Sequence, residues 1–210
     1  MSNQNHDPNA DKEKILAAMG GKRGLIDSGI PALAFLMVFS FSKQNLNLAL
    51  YSAIALSVIF TLIRVFRRET IQHAFSGLIG VLICALFARK TGNANDFYLP
   101  GLLTNLAYAF LYAFLNLIRW PLLGLMLGPI LGENLKWRQN PARLSVYQRA
   151  GWIWVGLFVS RLAVQYPLYL TDNLTLLGTA RLIMGYPMFL LAAWLTWKVL
   201  VTVPSVKDEN

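Results

Sequence analysis

Two short segments near the C-terminal end carry the residue types most able to do chemistry in an otherwise oily chain. Arg161-Leu-Ala-Val-Gln165-Tyr166-Pro167 and Arg181-Leu-Ile-Met-Gly-Tyr186-Pro187 each set an Arg five residues ahead of a Tyr-Pro pair. A guanidinium in hydrocarbon is costly unless it is paired or wet, so an Arg kept in such a segment has a use. If the segments lie on antiparallel helices that turn between Asn173 and Leu174, a rise of about 1.5 Å per residue sets the depths. Arg161 and Tyr186 then lie roughly 19 Å below the turn, and Arg181 and Tyr166 roughly 11 Å below it. Each Arg is level with the other helix's Tyr, which predicts at least one Arg–Tyr cation–π contact or hydrogen bond. Two uses follow. The Args snorkel or pair with carboxylates to hold the helices together, or Arg161, Arg181, Tyr166, Tyr186, Gln165 and Asn105 form a ligand-binding, anion-attracting cavity. Pro167 and Pro187 each leave a carbonyl one turn earlier without its donor and should kink both helices.

A second polar group is Asp27, Arg64, Arg67, Arg68, Glu69, Gln72, His73 and Arg119. If the ends of the first four apolar segments meet, these residues form one basic patch. It anchors the interface, and it attracts anionic lipid headgroups at about 1 kcal/mol per cation. His73 stands four residues after Glu69, at proton-shuttle spacing, although a solvated or capping His fits as well. Gly124, Gly128 and Gly132 form a small-residue stripe suited to close intrachain packing or to a homo-oligomer contact. Asn173-Leu-Thr175 has the glycosylation pattern, but in so tight a turn a capping role is expected. Cys84 is alone, which leaves no disulfide framework and suggests a buried, inert thiol. The chain shows no HExxH, no Walker loop, no Gly-x-Ser-x-Gly and no Cys/His ligand set. No catalytic residue, metal or cofactor is therefore expected, nor an enzyme.

The elements that must position these groups are apolar. The chain is 56% hydrophobic and 14% charged, well below the charge of a soluble domain. An all-α, polytopic six-helix transmembrane bundle is expected, with a disordered tail at 1–23, one membrane domain at 24–203 and a polar tail at 204–210. The spans run from about 24 to 41, 48 to 65, 71 to 87, 97 to 118, 151 to 170 and 174 to 203, with Asp27 to Pro31 starting the first. Residues 122–131 are too short to span; they could lie in the interface or re-enter, and a continuation of the fourth helix past a kink is the favoured expectation. Residues 136–149 form a basic connector, with Asn140-Pro141 as a helix start. An even number of spans puts both ends on one side. Thirteen Lys and Arg fall on that side against three (Lys43, Arg89, Lys90) on the other, with Arg119, Arg161 and Arg181 set aside as embedded. The positive-inside rule then makes both termini cytoplasmic, and it accounts for the net charge of +9 without nucleic acid. The six Trp fall mostly toward the same side, as an aromatic belt would.

Several motifs occur together. They are Gly24-Leu-Ile-Asp27-Ser28-Gly29-Ile-Pro31, Arg67-Arg68-Glu69-Thr-Ile-Gln72-His73-Ala-Phe-Ser76-Gly77, Asp96-Phe-Tyr-Leu-Pro100-Gly101, Arg119-Trp120-Pro121, Trp137-Arg138-x-x-Pro141 and both Arg-Leu…Pro segments. This joint pattern resembles an actinobacterial family of polytopic membrane proteins of unknown function, of the DUF3159 type. Some of its members are labelled intracellular septation protein-like. The resemblance covers nearly everything between the tails. It implies a six-helix protein of the plasma membrane and transfers no catalytic residue. Two functional expectations follow: a structural or interaction protein of the bacterial envelope with a protein partner there, or a small transporter or channel using Arg161 and Arg181 as an anion or proton path.

Overall fold

The computed structural model describes residues 21–42, 44–66 and 71–206. Among them every regular element is helical: α1 (Gly21–Phe41), α2 (Leu46–Phe66), α3 (Ile71–Thr91), a 3-10 turn (Ala94–Phe97), α4 (Leu99–Leu117), α5 (Leu122–Ile130), a second 3-10 turn (Lys136–Arg138), α6 (Pro141–Leu170), α7 (Leu174–Ile183) and α8 (Tyr186–Leu200). The expected tail at 1–20, Lys43, residues 67–70 and residues 207–210 lie outside the described residues. Three stretches are long and apolar enough to cross a membrane: Leu46–Ile63, Pro141–Leu170 and Leu174–Leu200. A fourth is added if α4 and α5 count as one bent span. Ile30–Phe41 in α1 is a shorter apolar helix. This is the make-up of a membrane protein. The chain divides into two compact units, residues 1–97 and 98–210.

In the first unit, α2 packs against both α1 and α3. The helix start expected at Asp27–Pro31 is instead the middle of α1, which begins at Gly21 and carries Pro31 inside it. Proline costs an interior helix one N–H bond, a loss that apolar helices tolerate when neighbours cover the freed carbonyl. Pro31 is buried. After α1 the chain reverses through Gln44 in the left-handed region (φ 61), and Gln44 N–H donates to Phe39 O at 3.2 Å. Asn45 then caps α2, its Oδ1 accepting from Leu48 N–H at 3.1 Å. The hydroxyls inside α2 bond back onto their own helix. Ser57 donates to Ile54 O and Thr61 to Ser57 O, which gives each buried hydroxyl an acceptor within its own helix. The segment 94–97, of which 94–96 fall between the expected third and fourth spans, is buried, and Phe97 stacks on Phe35 at 3.9 Å between ring centroids.

In the second unit α6 is the axis, packed by α4, α5, α7 and α8. Its start is as expected. Asn140 Oδ1 accepts from the N–H groups of Ala142 and Arg143, and Pro141 holds the first helical position. The helix continues unbroken to Leu170, so the expected connector at 141–149 is its first two turns. Pro167 falls within its last turn. The core includes Tyr112, Trp137, Tyr147, Leu157 and Phe158 with Ala109, Ala150 and Ala192, and the half-buried Trp154 packs against it. Tyr112 and Trp154 stack at 5.9 Å, and Trp154 Nε1 donates across to Thr196 Oγ1 on α8 at 3.0 Å.

Two breaks shape this unit. Between α4 and α5 the axis turns by 83°, where a proline-kinked continuation was expected. Arg119 takes φ 61 and Pro121 an extended conformation (φ −53, ψ 127). Two non-helical residues, one on each side of Trp120, swing the chain far more than one missing bond would. The second break splits the expected sixth span at Met184 and Gly185, where Gly185 (φ −67, ψ −93) leaves the helical region. The small-residue stripe turns inward. A side chain on Gly124 would meet the Trp137 ring at 2.9 Å, and one on Gly128 would meet Trp137 Nε1 at 2.8 Å. Gly124 and Gly128 are close-packed within the chain, whereas Gly132 is exposed in the left-handed region (φ 76). Trp137, expected in an aromatic belt, is fully buried because those two glycines make room for it.

Candidate functional site

Arg161 and Arg181 are both half-buried in the second unit. Arg161 projects from α6 into the break between α7 and α8. Its Nε donates to Met184 O at 2.9 Å and its Nη2 to Gly185 O at 2.5 Å. The break exposes these carbonyls. Among the described residues no backbone donor to Met184 O is seen, whereas Gly185 O also accepts from Phe189 N–H at 3.3 Å. A guanidinium carries several donors in a rigid fork, so one side chain serves two neighbouring carbonyls. Arg181, in the last turn of α7, donates from Nη1 to Tyr98 O at 3.2 Å, and its guanidinium lies over the Tyr98 ring at 5.2 Å. Gly101 makes this possible, because a Cβ there would collide with all three terminal atoms of the guanidinium.

The hydrogen bonds of the two Args thus end on backbone carbonyls, and Arg181 also lies over the face of Tyr98, a residue not singled out from the sequence. Tyr166 is exposed on α6, and Tyr186 is half-buried at the first position of α8. Gln165 is buried in α6 and Asn105 half-buried in α4. Carbonyl dipoles satisfy some of the donors but leave the positive charge unneutralised. Among the described residues no carboxylate pairs with Arg161 or Arg181.

Of the basic patch, Arg67, Arg68 and Glu69 lie outside the described residues, as do the side chains of Asp27, Arg64, Gln72 and His73. Arg119 is exposed at the α4–α5 break.

The strongest polar cluster of the second unit is one the sequence reading passed over. Glu133 is fully buried after α5, and Arg143 in the first turn of α6 meets it. Arg143 donates to Glu133 Oε1 from Nε at 2.9 Å and from Nη2 at 2.6 Å. Its Nη1 donates to Leu200 O at 2.9 Å and Val203 O at 2.6 Å. The other carboxylate oxygen accepts from Tyr147 Oη at 2.8 Å. Trp137 closes the side, edge-on to Tyr147 at 5.4 Å. The cluster joins the α5 loop, the start of α6 and the end of α8. Both carboxylate oxygens are taken from within the chain, so Glu133 is committed to structure. A signal for it was present: Glu133 is the only acid between Asp96 and Asp172, among a surplus of cations.

Nearby, Asn116 Nδ2 donates to Gln148 O at 2.8 Å, and Gln148 Nε2 returns a bond to Asn116 O at 3.0 Å. This clasp fastens the end of α4 to α6. Asn116 Oδ1 is buried without a hydrogen-bond donor and lies against Gly151, where a Cβ would come to 2.5 Å of it.

No curated protein and no solved structure matches the chain. One family model does, that of a protein of unknown function (DUF3159), over residues 19–207. With nearly its whole length matched, and apolar helices long enough to span a bilayer, the chain belongs to the DUF3159 family.

Proposed function

We propose that the chain is a non-enzymatic structural or interaction protein of the bacterial plasma membrane, serving assembly of the cell envelope without a cofactor. In this reading it crosses the membrane six times with both ends in the cytoplasm. The observation that carries it is the closed Glu133–Arg143–Tyr147 cluster, in which the buried ionic groups hold helix ends together and offer nothing to a substrate. The use of Arg161 as a clamp on a helix break is of the same kind. The thirteen-to-three split of Lys and Arg supports the orientation. Its surroundings are lipid, anionic headgroups and an envelope protein or a second copy of itself.

A second reading has one observation in its favour. Arg161 and Arg181 have no carboxylate partner among the described residues, and an unneutralised cation at membrane depth attracts anions. Flux through reconstituted liposomes separates the two. Anion and proton leak no greater than in protein-free vesicles supports the structural role. A leak that Arg161→Leu or Arg181→Leu abolishes moves the assignment to a transporter or channel. Labelling of single cysteines placed at 42, 95, 134 and 172 tests the six-span topology. A deletion strain with normal division and envelope counts against the envelope role.

A further inference from the structure

Where α2 begins and α3 ends, the first unit carries an open groove of about 170 Å³. Its floor is Leu50 and Ala85, both buried, with Ala85 small enough to leave a depression. Ile54, Leu82 and Leu86 make its apolar walls, and Asn47, Tyr51 and Arg89 gather at one end. From Asn47 to Ile54 and from Leu82 to Arg89 each helix advances two turns, roughly 10 Å. The groove is therefore polar at the end near the helix termini and apolar along the rest of its length. Arg89 is exposed, and among the described residues its guanidinium makes no hydrogen bond or ion pair.

We propose that this groove holds one acyl chain of an anionic phospholipid, whose phosphate is bound by Arg89 beside Asn47 and Tyr51. The inference rests on α2 being a span, for which it is apolar and long enough. A groove on the flank of such a helix meets lipid, and its apolar floor matches an acyl chain. The Arg89 fork matches a phosphate, with which it forms paired, charge-assisted hydrogen bonds. It stands in the last turn of α3 and shares the groove with Asn47 at the start of the α2 span, which in this reading is headgroup depth. Lys90, the next residue, has the same charge and is also exposed, but it does not line the groove.

That contrast supplies the test. The full chain in detergent is titrated with phosphatidylglycerol or phosphatidylcholine of matched acyl chains, and bound lipid is counted by native mass spectrometry. The wild-type chain retains phosphatidylglycerol in preference. Arg89→Gln loses about fivefold in that lipid and with it the preference, the effect of about one interfacial charge. Lys90→Gln changes neither lipid. Leu86→Asn, at an exposed wall position, weakens both lipids alike, and soluble glycerol phosphate does not compete. Equal losses in Arg89→Gln and Lys90→Gln overturn the site in favour of diffuse attraction. Displacement by glycerol phosphate overturns the acyl component. Melting curves like wild type for each variant exclude misfolding, since all three positions are exposed. Release of the chain from membranes by alkaline carbonate would instead strike at the membrane reading itself.

Discussion

Glu133→Ala is the sharpest perturbation of the second unit. It removes the acceptor of two Arg143 bonds and of the Tyr147 hydroxyl, and leaves a guanidinium almost wholly buried without a counter-charge. Two carbonyls, of Leu200 and Val203, still accept from Arg143, but neither cancels its charge. Breaking a buried pair from one side typically costs about 3–5 kcal/mol. For a chain of this length each kcal/mol lowers the melting temperature by about 2–4 °C, so Glu133→Ala should melt roughly 10 °C early. Glu133→Gln keeps the shape and a carbonyl oxygen and should lose less. The double variant Glu133→Leu with Arg143→Met removes both charges. It should recover most of the loss, because the pair's attraction is largely consumed by desolvation. The assay is thermal unfolding in detergent, read by tryptophan fluorescence, to which Trp137 reports directly from its packing on Tyr147. A Glu133→Ala midpoint within about 2 °C of wild type, less than the shift expected for 1 kcal/mol, would show that the pair is wet and refute the reasoning.

Other substitutions probe other joints. Gly128→Ala should destabilise by about 1–3 kcal/mol, because the new methyl runs into the backbone oxygen of Asn134 as well as Trp137 Nε1, and the former cannot rotate away; the measure is the same melting curve. Arg161→Leu should loosen the α7–α8 break, seen as faster hydrogen exchange at residues 183–189 with α2 unaffected, and Arg161→Lys should restore it only in part because an ammonium lacks the planar fork. Thr196→Val should cost about 1–2 kcal/mol by leaving the Trp154 indole N–H without its acceptor, and a red-unshifted, unquenched Trp154 signal with unchanged stability would contradict that bond.

How much of this was readable beforehand depends on the range of the physics involved. Asn140-Pro141 and Asn173 act within three or four residues of themselves, and both cap helices as their sequence says. Pro121 announces a break, but not its angle, which needs Arg119 to take a left-handed conformation that nothing in its own side chain requires. The level pairing of each Arg with a Tyr assumed two straight helices. The break at Gly185 put carbonyls in front of Arg161 sooner than any phenol. Pro31 misled in the opposite direction, since a start signal in water is tolerated mid-helix in an apolar chain. Glu133 and Arg143 lie ten residues apart on a loop and a helix, and their meeting depends on where Trp137 settles, which is a tertiary fact.

Three Args of the second unit show how one side chain takes different roles in the same surroundings. Arg143 meets a carboxylate, and with its charge cancelled it can be buried almost completely. Arg161 and Arg181 meet carbonyl dipoles and, for Arg181, the Tyr98 ring, none of which carries a net charge, and both stay half-exposed. The difference in burial is what electrostatics requires: a carbonyl completes a hydrogen bond but contributes no net charge, so the rest of the solvation must come from outside the chain. Whatever completes it, whether water, a lipid phosphate or a transported anion, must reach Arg161 and Arg181 and is kept from Arg143. Function beyond holding the helices together should therefore be sought at the α7–α8 break and against Tyr98, and replacing Glu133 or Arg143 should affect it only through stability.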